Sequence, residues 1–215
     1  MKPRSEPRSK PHPLRERMKE EARVAILEAA EQVIAEQGLS ATRMEDIATR
    51  VGVSVGSLYN YFEDRQRLLQ ALLDAQVQQL MAVLDAELER SRGAPYRMRL
   101  HGLLRAILEH TQKHFRFLSL LLEERVMRVA ASSEELERHQ RLSNTLAERI
   151  GSLNPEGLAQ GVLRPEDAPH YPMLLLGMLQ STLLRQFLER QPSPVDEQIA
   201  LLLRCFLEGA SPRPG

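Results

Sequence analysis

His110 and His114 stand four residues apart in the run HTQKH. On a helix that spacing puts both imidazoles on one face, where a metal ion could be gripped from two sides. The run lacks the adjacent glutamate of zinc-peptidase helices, and no third ligand follows nearby, so exposed or hydrogen-bonded histidines are the plainer reading. Glu123, Glu124 and Arg125 offer two carboxylates, yet acids and bases this close on a helix ordinarily form a solvated ion pair. No glycine-rich phosphate loop, nucleophile elbow or paired acid–base constellation occurs. Neither catalysis, a metal nor a cofactor is therefore expected. The densest chemistry lies in VGVSVGSLYNYFEDR, residues 51–65. It holds three of the nine Tyr and Phe residues of the chain and no Lys or Arg before its last position. Tyrosines behind a run of small residues offer flat apolar bodies with hydroxyl tips, a chemistry of contact rather than of reaction.

The rest of the chain must position that segment. Its 215 residues suffice for one large domain or two small ones with a real core. Hydrophobic residues make up 42% and charged residues 27%, the balance of an ordinary globular protein. Net charge is zero, so any basic surface must come from local arrangement. The single Cys205 excludes an internal disulfide and a multi-cysteine zinc site, and fits a reducing compartment. No apolar secretory segment follows the basic N-terminus. The most apolar run, residues 171–188, contains Gln180, Arg185 and Gln186, which marks a buried helix and not a membrane span.

Residues 1–19 carry seven Lys or Arg against two Glu, with Pro and Ser, and read as a basic disordered arm. Helical periodicity starts at Glu20: Ala22, Ile26, Ala30, Val33 and Ile34 share a face, and Gly38 supplies the stop. Thr42 with Glu45 predicts a capping box and a helix over 43–50. Gly52 allows a turn, and Ser54 caps a short helix over 55–61. Long helices are predicted over 65–91 and 96–114, then an apolar one from FRFLSLLLEERVMRV. Ser132 and Glu135 predict a second capping box and a helix to Ser152. NPEGLAQGVLRPEDAP reads as a connection with at most one helical turn. Pro172 opens a helix to Arg190, and Ser193 with Pro194 opens the last. Strand patterns are absent, so the fold class is all-α.

Within this frame Ile47, Ala48, Gly52 and Leu58 have the spacing of a helix-turn-helix. The alanine lets two helices cross closely, the glycine takes the bend, and the leucine packs the second helix on the first. The string from Ile26 to Leu69 carries Gly38, Thr42, Ile47-Ala48, Gly52-Val53-Ser54, Leu58-Tyr59 and Tyr61-Phe62 in register. Residues 24–72 thereby resemble the DNA-binding domain of the TetR (tetracycline-repressor-like) family of bacterial transcriptional regulators. The resemblance implies a three-helix DNA-binding domain over 20–65 and a helical ligand-binding and dimerisation domain over 66–215. It makes the second helix of the motif a recognition helix. Ser54, Val55, Gly56 and Ser57 would let that helix approach the major groove. Tyr59, Asn60 and Tyr61 would reach phosphates or base edges, with Thr42, Arg43 and Arg65 at the sugar-phosphate rim. Where the family usually has Lys, this chain has Arg65, which keeps the charge.

The same resemblance places an effector pocket in the middle helices. Its candidate lining is His101, Leu104, Arg105, Leu108, Thr111, Phe117, Leu121, Thr145 and Met173, a mostly apolar set with polar handles. It also implies a homodimer through the last two helices. The candidate stripes are Leu174, Gly177, Met178, Ser181, Leu184, Arg185 and Leu188 in one, Ile199, Leu202, Leu203 and Phe206 in the other. The expected partners are thus an operator in double-stranded DNA, a second copy of the chain and a small-molecule effector, with no membrane. The expected location is the bacterial cytoplasm, on the nucleoid when bound to DNA. An architectural DNA-binding protein without a ligand switch, or a metal-dependent helical enzyme, are the competing readings.

Overall fold

The computed structural model describes residues 13–127 and 133–210. Every regular element among them is helical: α1 (Pro13–Gln37), α2 (Met44–Val51), α3 (Val55–Tyr59), α4 (Arg65–Arg90) and α5 (Tyr96–Lys113). They are followed by α6 (Phe115–Met127), α7 (Ser133–Gly151), α8 (Asn154–Ala159), α9 (Tyr171–Glu189) and α10 (Val195–Ala210), with a 3-10 turn at Pro165–Asp167. The chain divides into two compact units, Met1–Leu73 and Asp74–Gly215. The division falls inside the unbroken helix α4 and not at the expected 65/66.

In the first unit the expected face of α1 is the core. Ile26, Ala30, Val33 and Ile34 are buried, as are Ile47 and Ala48 of α2, Leu58 of α3, and Phe62, Leu68 and Leu72. Helix α1 begins at Pro13, earlier than Glu20, because Pro is at home in a first turn and Leu14, Arg15, Glu16, Arg17 and Met18 are tolerant of helix. Residues 1–12 of the expected arm lie outside the described residues. Gly38 ends the helix with φ 89°, and its N–H reaches Ile34 O at 2.8 Å.

The second unit is built around α5. Leu100, Leu103, Leu104, Ile107 and Leu108 repeat at three- and four-residue spacing and are all buried. Against them pack Leu146, Ala147 and Ile150 of α7, Leu175, Leu176 and Leu179 of α9, and Ile199, Leu202, Phe206 and Leu207 of α10. Tyr171 meets Phe206 edge-on, with centroids 5.6 Å apart. The buried amides of Gln186 and Gln198 bond each other and the backbone of Ser193, closing the α9–α10 turn. Ser193 is used through its backbone, and α10 starts at Val195 instead of being capped by the Ser193 hydroxyl.

Two further elements differ from expectation. The connection after α7 holds both α8 and the 3-10 turn, not a single turn of helix. Pro155 sits in the first turn of α8, and Gly157 is packed so closely that an added Cβ would lie 2.6 Å from Leu163 Cδ1. A part-buried ion pair between Arg99 and Glu156 ties α8 to α5. The proposed box of Ser132 and Glu135 lies outside the described residues and side chains.

Candidate nucleic-acid interface

The turn between α2 and α3 is set by backbone geometry. Gly52 adopts φ 82°, in the left-handed region, where its N–H reaches Ala48 O at 3.0 Å and Val53 N–H reaches the same oxygen at 3.0 Å. Any residue with a Cβ is strained there. Ser54 then caps α3, its hydroxyl accepting from Ser57 N–H at 3.1 Å and meeting the Ser57 hydroxyl at 2.8 Å. Leu58 and Phe62 hold the helix from beneath, at 0% and 5% exposure.

What remains outside is small or polar. Val53, Ser54, Gly56, Tyr59 and Asn60 are exposed, and Val55, Ser57 and Tyr61 are half-buried. Val55 and Tyr59, four residues apart, share a face of the helix. Gly56 differs from Gly52. Its φ is not in the left-handed region, and a Cβ would meet only Ser54 Oγ, at an ordinary 4.0 Å. The fold therefore does not require glycine at 56, and the missing side chain keeps the outer surface of α3 low. The hydroxyls of Tyr59 and Tyr61 make no hydrogen bond among the described residues.

The flanking polar residues divide into two kinds. Arg43 is exposed at the start of α2, and its backbone N–H donates to Asp46 at 3.0 Å. Thr42 does not form the expected box with Glu45. It is 3% exposed, and its hydroxyl donates to Gly38 O at 2.8 Å, so it braces the α1–α2 turn from inside. Arg65 likewise turns inward and donates to Leu39 O. Arg50 forks onto Glu36, which holds its pKa above the usual arginine value. Thr49, Val53 and Arg67 are exposed beside the motif, and of these only Val53 stands in the sequence match, with no contact role given to it. Their signal would have been position alone: the last turn of α2, the bend and the first turn of α4.

The expected pocket residues do not converge on one cavity. Leu104, Leu108 and Phe117 are core residues, at 0%, 2% and 1% exposure. Thr111 is buried and donates to Ile107 O, and Thr145 donates to Arg141 O. Leu121 is half-buried on α6 and Met173 is 52% exposed on α9. Arg105 is held by Glu109 and Asp196 and lines an open groove of about 630 Å³ with Gln79, Val83, Glu87 and His110. His101 lines a different cleft. The rings of His110 and His114 lie 4.7 Å apart, and burial pushes His110 down to about 4. Among the described residues no group of three or more metal-ligating side chains gathers. Glu123 pairs with Arg190 at 2.9 Å.

The expected dimer stripes split. On α9, Leu174, Gly177, Ser181, Leu184, Arg185 and Leu188 are exposed and Met178 is half-buried. On α10, Ile199, Leu202 and Phe206 belong to the unit's own core, and Leu203 is half-buried against it. Leu201, 41% exposed, is the large apolar residue that α10 leaves open among the described residues. No helix among the described residues is long and apolar enough to cross a membrane.

Comparison with known proteins agrees with this geometry. Residues 26–72 match the family described as bacterial regulatory proteins, tetR family. The HTH-type transcriptional regulator YhgD of Bacillus subtilis is 26% identical over 85% of this chain and 92% of its own. The HTH-type transcriptional repressor KstR2 of Mycobacterium tuberculosis is 28% identical over 66% of this chain and 68% of its own. In fold, the chain resembles the crystal structure of a TetR transcription regulator from Haloarcula marismortui. The TM-score is 0.75 at 18% identity, covering 89% of this chain and 98% of that one. The helix-turn-helix of α2 and α3, its place in the sequence and the fold of the whole agree: this chain belongs to the TetR family of DNA-binding transcriptional regulators.

Proposed function

We propose that the chain is a ligand-responsive repressor that binds a near-palindromic operator as a two-fold homodimer. The observation that carries the reading is the outward face of α3. Ser54, Gly56, Tyr59 and Asn60 are exposed on a helix whose own packing leaves Gly56 free to be larger. A helix with so low a profile can enter the major groove until its backbone nears the phosphates. Tyr59 and Asn60 then reach base edges, and Arg43 neutralises phosphate at the rim.

One such helix reads only a few base pairs, so selection of an operator needs a second at fixed spacing. The uncovered leucines of α9, Leu174, Leu184 and Leu188, support a second copy as the occupant of that face. A repressor role is supported by the name that KstR2 bears. The groove of α4 and α5 has room for an effector, with Arg105 as a polar handle. An effector acts only if it binds the operator-competent and operator-incompetent states with different affinity.

The test is light scattering of the full chain at micromolar concentration, with footprinting on DNA flanking its own gene. A dimer protecting two half-sites about one or two helical turns apart is expected. A monomer that protects a single half-site removes the homodimer from the reading.

A further inference from the structure

The second unit holds a cleft between α5 and α10, of about 520 Å³, lined by Arg97, Met98, His101, Leu203, Arg204 and Leu207. Helical spacing explains its make-up. Arg97 and His101 are one turn apart on α5, and Leu203 with Leu207 and Arg204 with Glu208 form two such rows on α10. The floor is apolar and the rim cationic, with Glu208 as the one carboxylate in the lining.

The arginines of this cleft, like Arg116 and Arg138, differ from most others of the unit. Arg99, Arg105, Arg149, Arg185 and Arg190 each hold a carboxylate. Arg97 and Arg204 hold none among the described residues. Met98 beside them is 65% exposed, an apolar side chain left in water at the mouth of a charged cleft. Leu203 and Leu207 point to the opposite flank of α10 from Leu201 and Cys205 by helical geometry, whereas Arg204 and Glu208, three and seven residues after Leu201, border its face.

We propose that the α5–α10 cleft binds a small amphiphilic anion, a carboxylate carried on an apolar body. Two guanidiniums match a carboxylate in charge and in planar, forked geometry. Met98 and the half-buried Leu203 take the apolar body over the core residue Leu207, and the cleft is of the size that ordinary ligands fill. A cation is disfavoured by Arg97 and Arg204, and a purely polar anion leaves Met98 in water. The cleft and the α4–α5 groove share no residue, so this binding is independent of the effector role given to that groove.

The chain contains no tryptophan, so Met98→Trp puts a sole indole reporter at the mouth of the cleft. Full-length M98W is titrated, without DNA, with decanoate below its micellar concentration, with decanol and with inorganic phosphate. Equilibrium dialysis of labelled decanoate against the unsubstituted chain runs in parallel. Expected is saturable decanoate binding at one per chain, weakened at least about tenfold by Arg97→Gln with Arg204→Gln in both assays. Decanol and phosphate should each fail to saturate in the same range. The substituted arginine positions are exposed, and circular dichroism verifies the fold. Absence of decanoate binding in dialysis overturns the proposal. So does decanol binding as tightly as decanoate, phosphate saturating alone, or an arginine double variant that binds like the parent.

Discussion

Helices α3 and α9 both present uncovered faces, and the two faces are built in opposite ways. On α3 the outside is small and hydroxyl-bearing, while the apolar residues Leu58 and Phe62 are spent inward. On α9 the inward Leu175, Leu176 and Leu179 are matched by outward Leu174, Leu184 and Leu188, which stay 58%, 43% and 63% exposed. Water and phosphate satisfy the first kind of face as it stands. The second loses free energy for every square ångström left wet, at about 25 cal/mol per Å². Water suits the first face and not the second.

The largest effects are expected from charge placed on the two sides of the α9–α10 pair. Leu202 is 1% exposed within the core of the second unit, so Leu202→Glu buries a carboxylate with no partner. Such a burial costs several kcal/mol, enough to unfold a marginally stable domain. Circular dichroism should show lost helicity and a collapsed thermal transition. Leu174→Glu with Leu188→Glu puts the same charges where water already reaches. Those variants should keep their helicity at 25 °C and differ only in light scattering, as monomers. If they also unfold, or remain dimeric, the uncovered face of α9 is not the interface.

The contrast also marks what could be read from sequence. Gly52, Ser54, Leu58 and Phe62 are legible because each answers a local demand: a left-handed φ, an N-cap, two positions one turn apart beneath a short helix. The cap falls at Arg43, one position after Thr42, because Glu45 and Asp46 both offer a carboxylate near it. The tie is broken by Gly38 O, which takes the Thr42 hydroxyl. Arg65 sits where a phosphate contact was expected, yet the carbonyl of Leu39 reaches it across the turn. In the long helices the apolar residues go most of the way round. Leu202 and Leu188 then look alike in sequence although one is core and the other surface. Leu104, Leu108 and Phe117 are buried in the core, and periodicity identifies such a face without saying whether a cavity or a neighbour buries it.

Intermediate effects should separate Gly52 from Gly56. With φ 82°, Gly52→Ala forces an L-residue into the left-handed region, at about 1–3 kcal/mol. Hydrogen exchange at the amides of Leu58 and Phe62 should rise accordingly. At Gly56 the backbone is ordinary and a Cβ has room, so Gly56→Ala should leave that exchange unchanged or slow it, since alanine favours helix by roughly 0.5–1 kcal/mol. Operator affinity should fall for both, and for Gly56→Ala without any loss of stability. A Gly56→Ala chain that binds its operator like the parent would mean that α3 does not approach DNA closely.

The smallest effect belongs to the tyrosine hydroxyls, and it is the sharpest test of the α3 face. Among the described residues neither Tyr59 nor Tyr61 uses its hydroxyl in a hydrogen bond. Tyr61→Phe keeps the half-buried ring and its packing, so stability should not move. If the hydroxyl serves DNA, operator affinity should fall by about 1 kcal/mol, roughly fivefold, the net worth of one hydrogen bond. Tyr59→Ala also removes the body of a ring that is 47% exposed, and should cost more than Tyr61→Phe. Affinities are compared at one fixed salt concentration, because phosphate contacts make every value salt-dependent. Equal affinity of the parent and both variants, with the fold intact, would leave α3 outside the interface. A Tyr61→Phe loss accompanied by lower thermal stability would assign that hydroxyl to the fold instead.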